Sequence, residues 1–401
     1  MLNFYGSSMT INTTWRPFAM VSLTLIMGTI GTALASPLYP IYQQVWHLSP
    51  SQITYIFVAY MFGCLGTLLF LGRTSNSIGF LRTLQIGLVF ISLGLIISVF
   101  ADNALILSVG RFIIGIASGL MTTSAMIGMM QTIPESHKQF APQLVSILTA
   151  IGFGLGPLVG GIIAQFSQTP LITPYLPIIW GAVLCFIGLF WLKVPAFERQ
   201  PFSIAPKLLR PEPQYHALFM IVGLTAFSAF AAFSLFASLS PSFLQDILPW
   251  HGPLVSGTAI TCILLISAMV QFFAKAVAAK KCLNIGLIIM FASLISLALC
   301  MLFKTSILFF VSDILFGIGH GFALMGAFGV IPAITTLQNR AAVMSTYLFM
   351  GYLGTIVPII AVGYLADHFG LGFAVISFCA VISILCVVLW VSHQKLHVKA
   401  C

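Results

Sequence analysis

Gly110-Arg111-Phe112-Ile113-Ile114-Gly115-Ile116-Ala117-Ser118-Gly119 sets one arginine in an apolar run and follows it with glycines four and eight residues later. In a helix those three positions share a face. The pattern returns downstream. Asp313, Gly317 and Gly321 keep the spacing, each 202 residues further on (313−111, 317−115, 321−119). One copy carries a cation and the other an acid at the equivalent place, so the stretch points to an internally repeated helical protein with an ionisable residue in each half.

The surrounding composition says where such helices live. Of the 401 residues, 60% are hydrophobic and only 6% charged, and the mean hydropathy is +1.10. Soluble domains carry roughly 25% charged residues, so the expected class is an all-α polytopic membrane protein in a lipid bilayer. The net charge of +9 would suit nucleic acid if it were gathered on one face. Here the cations sit singly or in pairs at the ends of apolar runs, which excludes a nucleic-acid partner. The eight cysteines form no CxxC or Cys/His metal spacing. Cys64, Cys185, Cys262, Cys300, Cys379 and Cys386 lie within apolar runs and read as small packing residues.

Apolar runs of spanning length, about 20 residues each, occur at 18–42, 52–72, 83–101, 105–131, 143–166, 175–193, 216–243, 254–274, 283–303, 306–334, 342–366 and 371–392. They predict twelve transmembrane helices. A proline-rich connection, 195–214, divides residues 1–194 from 215–401, giving two six-helix halves and a short tail. Of the 16 Lys and Arg, all but Lys304 and the intramembrane Arg111 fall on the cytoplasmic side when the N-terminus is placed inside. Both termini are therefore expected in the cytoplasm. Ala33-Leu34-Ala35 mimics a signal-peptide cleavage site, but the repeat needs the first helix, which is expected to remain as an uncleaved span. Further echoes support the repeat: Gly152 with Gly354, 202 apart; Pro37 with Pro241, 204 apart; Gly87-Leu88 with Gly286-Leu287, 199 apart.

With those motifs in place, the chain resembles the major facilitator superfamily over essentially its whole length. Gly110-Arg111 through Gly119 is similar to that family's fourth-helix motif. Gly152-Phe153-Gly154-Leu155-Gly156-Pro157-Leu158-Val159-Gly160-Gly161 resembles the fifth-helix signature of its proton-driven antiporter branch. The loop between the second and third helices keeps Gly72 and Gly79 of the family pattern, but Asn76 stands where an aspartate belongs and Ser77 where an arginine belongs. The resemblance implies the major facilitator fold, no cofactor beyond a proton gradient, a small-molecule substrate, protons as coupling ions and a monomer in the bacterial inner membrane. The departure at Asn76 weakens the expected cytoplasmic charge network.

The residues themselves give a compatible reading. Gly152, Gly156 and Gly160 form a small-residue face for close helix approach, and Pro157 removes a helix hydrogen bond. With Gly161, Gly115 and Gly119 they are expected to act as conformational elements, as are Gly72, Asn76 and Gly79. Arg111 is an intramembrane cation, costly unless partnered. Asp313 is the one acid clearly inside a span, and His320 lies seven residues on, on the same face. Together with Arg111 they are the expected proton-coupling residues. Arg111 and Asp313 are further expected to approach one another when the outer side is closed. Ser36, Tyr39, Tyr42 and Gln43 of the first helix, and Phe230 and Phe233 of the aromatic row 227–236 in the seventh, are the candidate cavity residues. So few charges favour an apolar or weakly polar substrate over a polyanion. The expected function is proton-coupled efflux of such a compound. The alternatives are nutrient import by symport on the same fold, or a transport-dead sensor or intramembrane enzyme. No HExxH or GxSxG pattern supports an enzyme, and no metal site is expected.

Overall fold

The computed structural model describes residues 15–192, 201, 204, 206, 208–336 and 338–398. Twelve elements cross the bundle and are labelled in chain order. The first six are α1 Arg16–Trp46, α2 Pro50–Leu71, α3 Phe80–Val99, α4 Ala104–Thr132, α5 Ile147–Phe166 and α6 Thr173–Leu189. The second six are α7 Pro213–Ser238, α8 Pro253–Ala276, α9 Ala279–Phe303, α10 Ser306–Ile334, α11 Ala342–Phe369 and α12 Leu371–Leu396. Eleven are long and apolar enough to cross a membrane; α6 is the short one. Half of the expected linker 195–214 falls outside the described residues. Successive elements alternate in direction, so Arg16 and Leu396 share one end, the near end. Trp46 and Pro50 mark the far end.

Packing repeats with the chain. In the first six, α1 packs on α4, α5 and α6, α2 on α4, and α3 on α4 and α6. Adding six to each number gives the contacts of the second six: α7 on α10, α11 and α12, α8 on α10, and α9 on α10 and α12. Two further contacts, α5 with α8 and α2 with α11, join the groups and exchange under the same shift. The exposed large side chains, among them Phe166, Trp180, Phe273 and Val381, cover the outside of the bundle, as expected where hydrocarbon is the solvent.

Prolines correct two of the expected boundaries. Instead of one run over 18–42, α1 is helical over Arg16–Ala33, tightens into a 3₁₀ turn at Ser36–Leu38 and resumes at Tyr39–Trp46. Pro37 and Pro40 offer no N–H to continue the ladder. Likewise the run 216–243 breaks after Ser238, and a separate eight-residue helix, Ser240–Ile247, begins with Pro241 in its first turn. The two resumed helices have the same length and start 201 residues apart (240−39). The structural counterpart of Pro241 is therefore Pro40 and not Pro37.

The loop between α2 and α3 is closed by a short helix, Thr74–Ile78, which contains Asn76; the Asn76 N–H donates to the Arg73 carbonyl at 2.9 Å. Ser75 ties this loop to α4 through a 2.6 Å hydroxyl contact with Ser124. Gly79 turns the chain into α3 with φ 90°, a conformation open to glycine. Gly72 has an ordinary φ of −60°.

Candidate functional site

Arg111 is 2% exposed and is carried by α4. Gly115 and Gly119, on the same face, seat α4 against α2. A Cβ at Gly115 would meet the Cys64 nitrogen at 2.9 Å, and one at Gly119 would meet the Thr67 side chain at 2.7 Å. From the head of that face Arg111 reaches the break in α1. Its Nη1 donates to the Thr32 carbonyl at 2.8 Å, and its guanidinium lies 4.9 Å from the centre of the Tyr60 ring. A helix end leaves its last carbonyls without intrahelical donors and carries partial negative charge. The arginine therefore supplies both a donor and a counter-charge where the prolines have interrupted α1. Tyr39, Tyr42 and Tyr175 also lie within its electrostatic reach. The Tyr39 hydroxyl is buried close to the Arg111 guanidinium.

The second copy is built alike. Gly317 and Gly321 seat α10 on α8, where added Cβ atoms would meet Ile266 at 2.9 Å and the Ser267 carbonyl at 2.7 Å. Asp313 heads this face, 4% exposed, and its Oδ1 has no hydrogen-bond partner. Its electrostatic neighbour is Cys262 of α8. That cysteine is exposed, unlike the other five that the sequence placed in packing positions. No ion pair joins Arg111 to Asp313 among the described residues. Each glycine face turns its ionisable residue toward a helix of its own half. Arg111, moreover, is already engaged by α1. His320 is buried, with Nδ1 2.9 Å from the Ser267 hydroxyl, to which Gln271 also donates at 3.2 Å. Phe233 and Phe316 flank its ring at 5.9 and 5.5 Å.

The candidate cavity residues are dispersed. Ser36, Tyr39 and Tyr42 are buried, and Tyr42 shares a 2.9 Å hydroxyl contact with Tyr175 of α6. Gln43 accepts from Ser242 at 2.9 Å across the half boundary. Phe230 and Phe233 are half-buried, and Phe230 meets Tyr352 of α11 edge to face at 6.0 Å. A cavity of 510 Å³ lies at the far end between Pro37, Gln44, Pro241, Gln245, Asp246 and Trp250. None of the six candidates lines it.

Sequence reasoning missed a polar group where α2, α4 and α11 meet. The Cys64 thiol lies 3.0 Å from the Tyr352 hydroxyl, and the Tyr60 hydroxyl lies 3.2 Å from Ser118. Tyr60 and Cys64 are one helical turn apart on α2, the signal available in the sequence; their partners come from distant helices.

The glycine-rich α5 serves two contacts at once. Gly152, Gly156 and Gly160 turn to α1, where Cβ atoms would strike Thr29, Ala33 and the Leu34 carbonyl. Gly161 and Pro157 turn to α8 of the other half, against Pro253 and Gly257. Thr261 of α8 also donates to the Gly154 carbonyl at 2.7 Å. The motif is thus close packing within one half and the seam to the other.

These features can be set beside known proteins. The sequence pattern of the Major Facilitator Superfamily matches residues 21–357. The chain is 26% identical over 319 residues, 74% of its own length and 78% of the relative's, to multidrug resistance protein 2 of Bacillus subtilis. It is 22% identical to the riboflavin transporter RibZ of Clostridioides difficile, where it spans 41% of that relative's length and 46% of its own. Among solved structures, a bacterial homolog to the human lysosomal transporter Spinster, in an inward-facing and occupied conformation, superposes with a TM-score of 0.71 at 13% identity, covering 95% of this chain and 96% of that one. A D-xylose-proton symporter reaches 0.71 at 14% identity, covering 93% and 96%. Eleven helices of spanning length with a shorter twelfth, an internally repeated packing pattern and a family match over most of the length converge: this is a membrane transporter, and it belongs to the Major Facilitator Superfamily.

Proposed function

We propose that the protein is a proton-coupled exporter of a small apolar or weakly polar compound, working by alternating access as a monomer in the bacterial inner membrane with both termini cytoplasmic. The observation that carries this reading is α5, whose glycines touch α1 on one side and α8 on the other. A segment shared by both halves can transmit a rearrangement of one to the other. Its resemblance to the antiporter signature and the likeness to a Bacillus multidrug resistance protein over most of both chains support the outward direction. In this reading Asp313, buried with an oxygen that bonds nothing, carries the coupling proton, and His320, two turns further along α10, relays it. Arg111 holds the broken end of α1 at the cavity. The far end is then the outer face, and the structure corresponds to the state closed to the outside.

The test is a compound panel in cells lacking their own efflux pumps. Overexpression of an exporter raises the inhibitory concentration of its substrates, and everted vesicles then take those substrates up when a proton gradient is applied. An importer would instead sensitise the cells, and that result would reverse the proposed direction.

A further inference from the structure

The far end is closed by two corner contacts between the halves, and they are related by the repeat. At one corner Asp367, at the end of α11, reaches the start of α2. Its Oδ1 accepts the Ser51 backbone N–H and its Oδ2 accepts the Ser49 hydroxyl, both at 3.0 Å. Ser49 is the N-cap of this helix and exchanges hydrogen bonds with Gln52. Pro50 has no N–H, so Asp367 takes the Ser51 donor of the first turn, which the intrahelical cap leaves over. Gly363, one turn before Asp367, brings the helices together: a Cβ there would meet the Ser51 Cα at 2.9 Å. At the other corner the equivalent of Asp367 is Gln165, 202 residues earlier, and the helix it faces also begins with a proline, Pro253 matching Pro50 and Gly252 matching the N-cap Ser49. There the Gln165 amide abuts Gly252, whose added Cβ would meet its Cδ at 3.0 Å. One corner thus has a carboxylate on a helix N-terminus in the other half, and its counterpart has a neutral amide facing the equivalent helix start.

We infer that Asp367 is a positioning residue for transport, a latch that holds the far end closed by capping α2 across the half boundary, and that the Gln165 corner contributes the weaker hold. The inference rests on the alternating-access reading above. A negative charge at a helix N-terminus is favourable and its hydrogen bonds are charge-assisted. Separating the halves at this corner breaks both bonds at once and exposes the start of α2 without its cap. The loop that would carry an aspartate at the near end has Asn76 instead.

The experiment is pulsed electron–electron distance measurement on the full chain reconstituted in lipid. Cys262 and Cys401 are replaced by serine, and spin labels are placed through Val45→Cys and Trp250→Cys, both exposed and on opposite halves of the far end. Asp367→Asn is expected to raise the long-distance, far-end-open population roughly two- to fivefold. Asp367→Glu should restore the parent distribution in part, and Gln165→Asn should shift it less than Asp367→Asn. Ser49→Ala, which removes one bond and keeps the acid, should give an intermediate shift and decides the matter should Asp367→Asn fold poorly. Distributions for Asp367→Asn and Ser49→Ala that superimpose on the parent would overturn the latch, as would an equal shift from Gln165→Asn. A clear shift together with no transport of any compound would leave the latch standing and remove the export reading; transport with unmoved distances would do the reverse.

Discussion

Gln44 donates its side-chain amide to the Oε1 of Gln245 at 3.2 Å, and the two residues hold the same place in the repeat, 201 positions apart. A contact between equivalent positions is self-complementary and lies on the axis relating the two halves, as in a twofold dimer interface. The resumed helices at Tyr39–Trp46 and Ser240–Ile247 carry this pair. The proline breaks therefore aim two helix ends at each other across the far end.

Like charges on the axis should force the far end apart. Gln44→Glu combined with Gln245→Glu places two carboxylates where the amides now bond, and their repulsion is unfavourable at any dielectric. The double variant should show a larger open population in the spin-label measurement than the sum of the single variants. Gln44→Glu with Gln245→Lys should return it toward the parent.

Adjacent glycines of α5 should fail in different ways. Gly160→Ala drives a methyl into the Leu34 carbonyl inside the first half and is expected to cost about 1–3 kcal/mol, seen as a lowered Tm in detergent. Gly161→Ala strikes Pro253 across the boundary. It should leave Tm nearer the parent value while the far end closes less completely, as read by the distance distribution.

Arg111 should behave as a structural partner of α1 as well as a functional residue. Arg111→Met leaves the Thr32 carbonyl without its donor and removes the cation over Tyr60, a loss of about 1–3 kcal/mol. Arg111→Lys should recover only part of it, because an ammonium cannot reproduce the planar, stacked guanidinium. Chemical denaturation followed by tryptophan fluorescence would measure both.

On the proposed coupling, Asp313→Asn should reduce proton-driven uptake in everted vesicles to the level of vesicles without the protein. Gradient-independent exchange of labelled for unlabelled substrate should persist. Undiminished pH-driven uptake would remove Asp313 from the coupling role.

Much of the architecture was legible in the sequence because bilayer length and charge avoidance leave a strong one-dimensional imprint. Twelve runs, the 202-residue echo of Arg111 in Asp313 and the α5 glycines all follow from spacing. The breaks at Pro40 and Pro241 were read through, since proline inside an apolar run is tolerated in membrane helices and does not announce whether it kinks or stops one. Pairing Pro37 with Pro241 put that echo out of register by three residues, an error only the resumed helices expose. The direction of the glycine faces was also beyond reach. Arg111 and Asp313 occupy equivalent positions, but equivalence under a repeat places each beside its own half's neighbours and does not make the two meet. Tyr60, Cys64 and Tyr352 stayed hidden for a related reason: their grouping needs three helices brought together by tertiary packing.

The unequal corners also set an order of events. A seal with matched fastenings would part evenly about its axis. With a carboxylate bound at Ser49 and Ser51 and only an amide at Gly252, the proposed latch has the neutral side yield first and the α2–α11 side part last. The internal duplication thus supplied two doorposts, and one differing position, aspartate against glutamine, decides which of them holds longer.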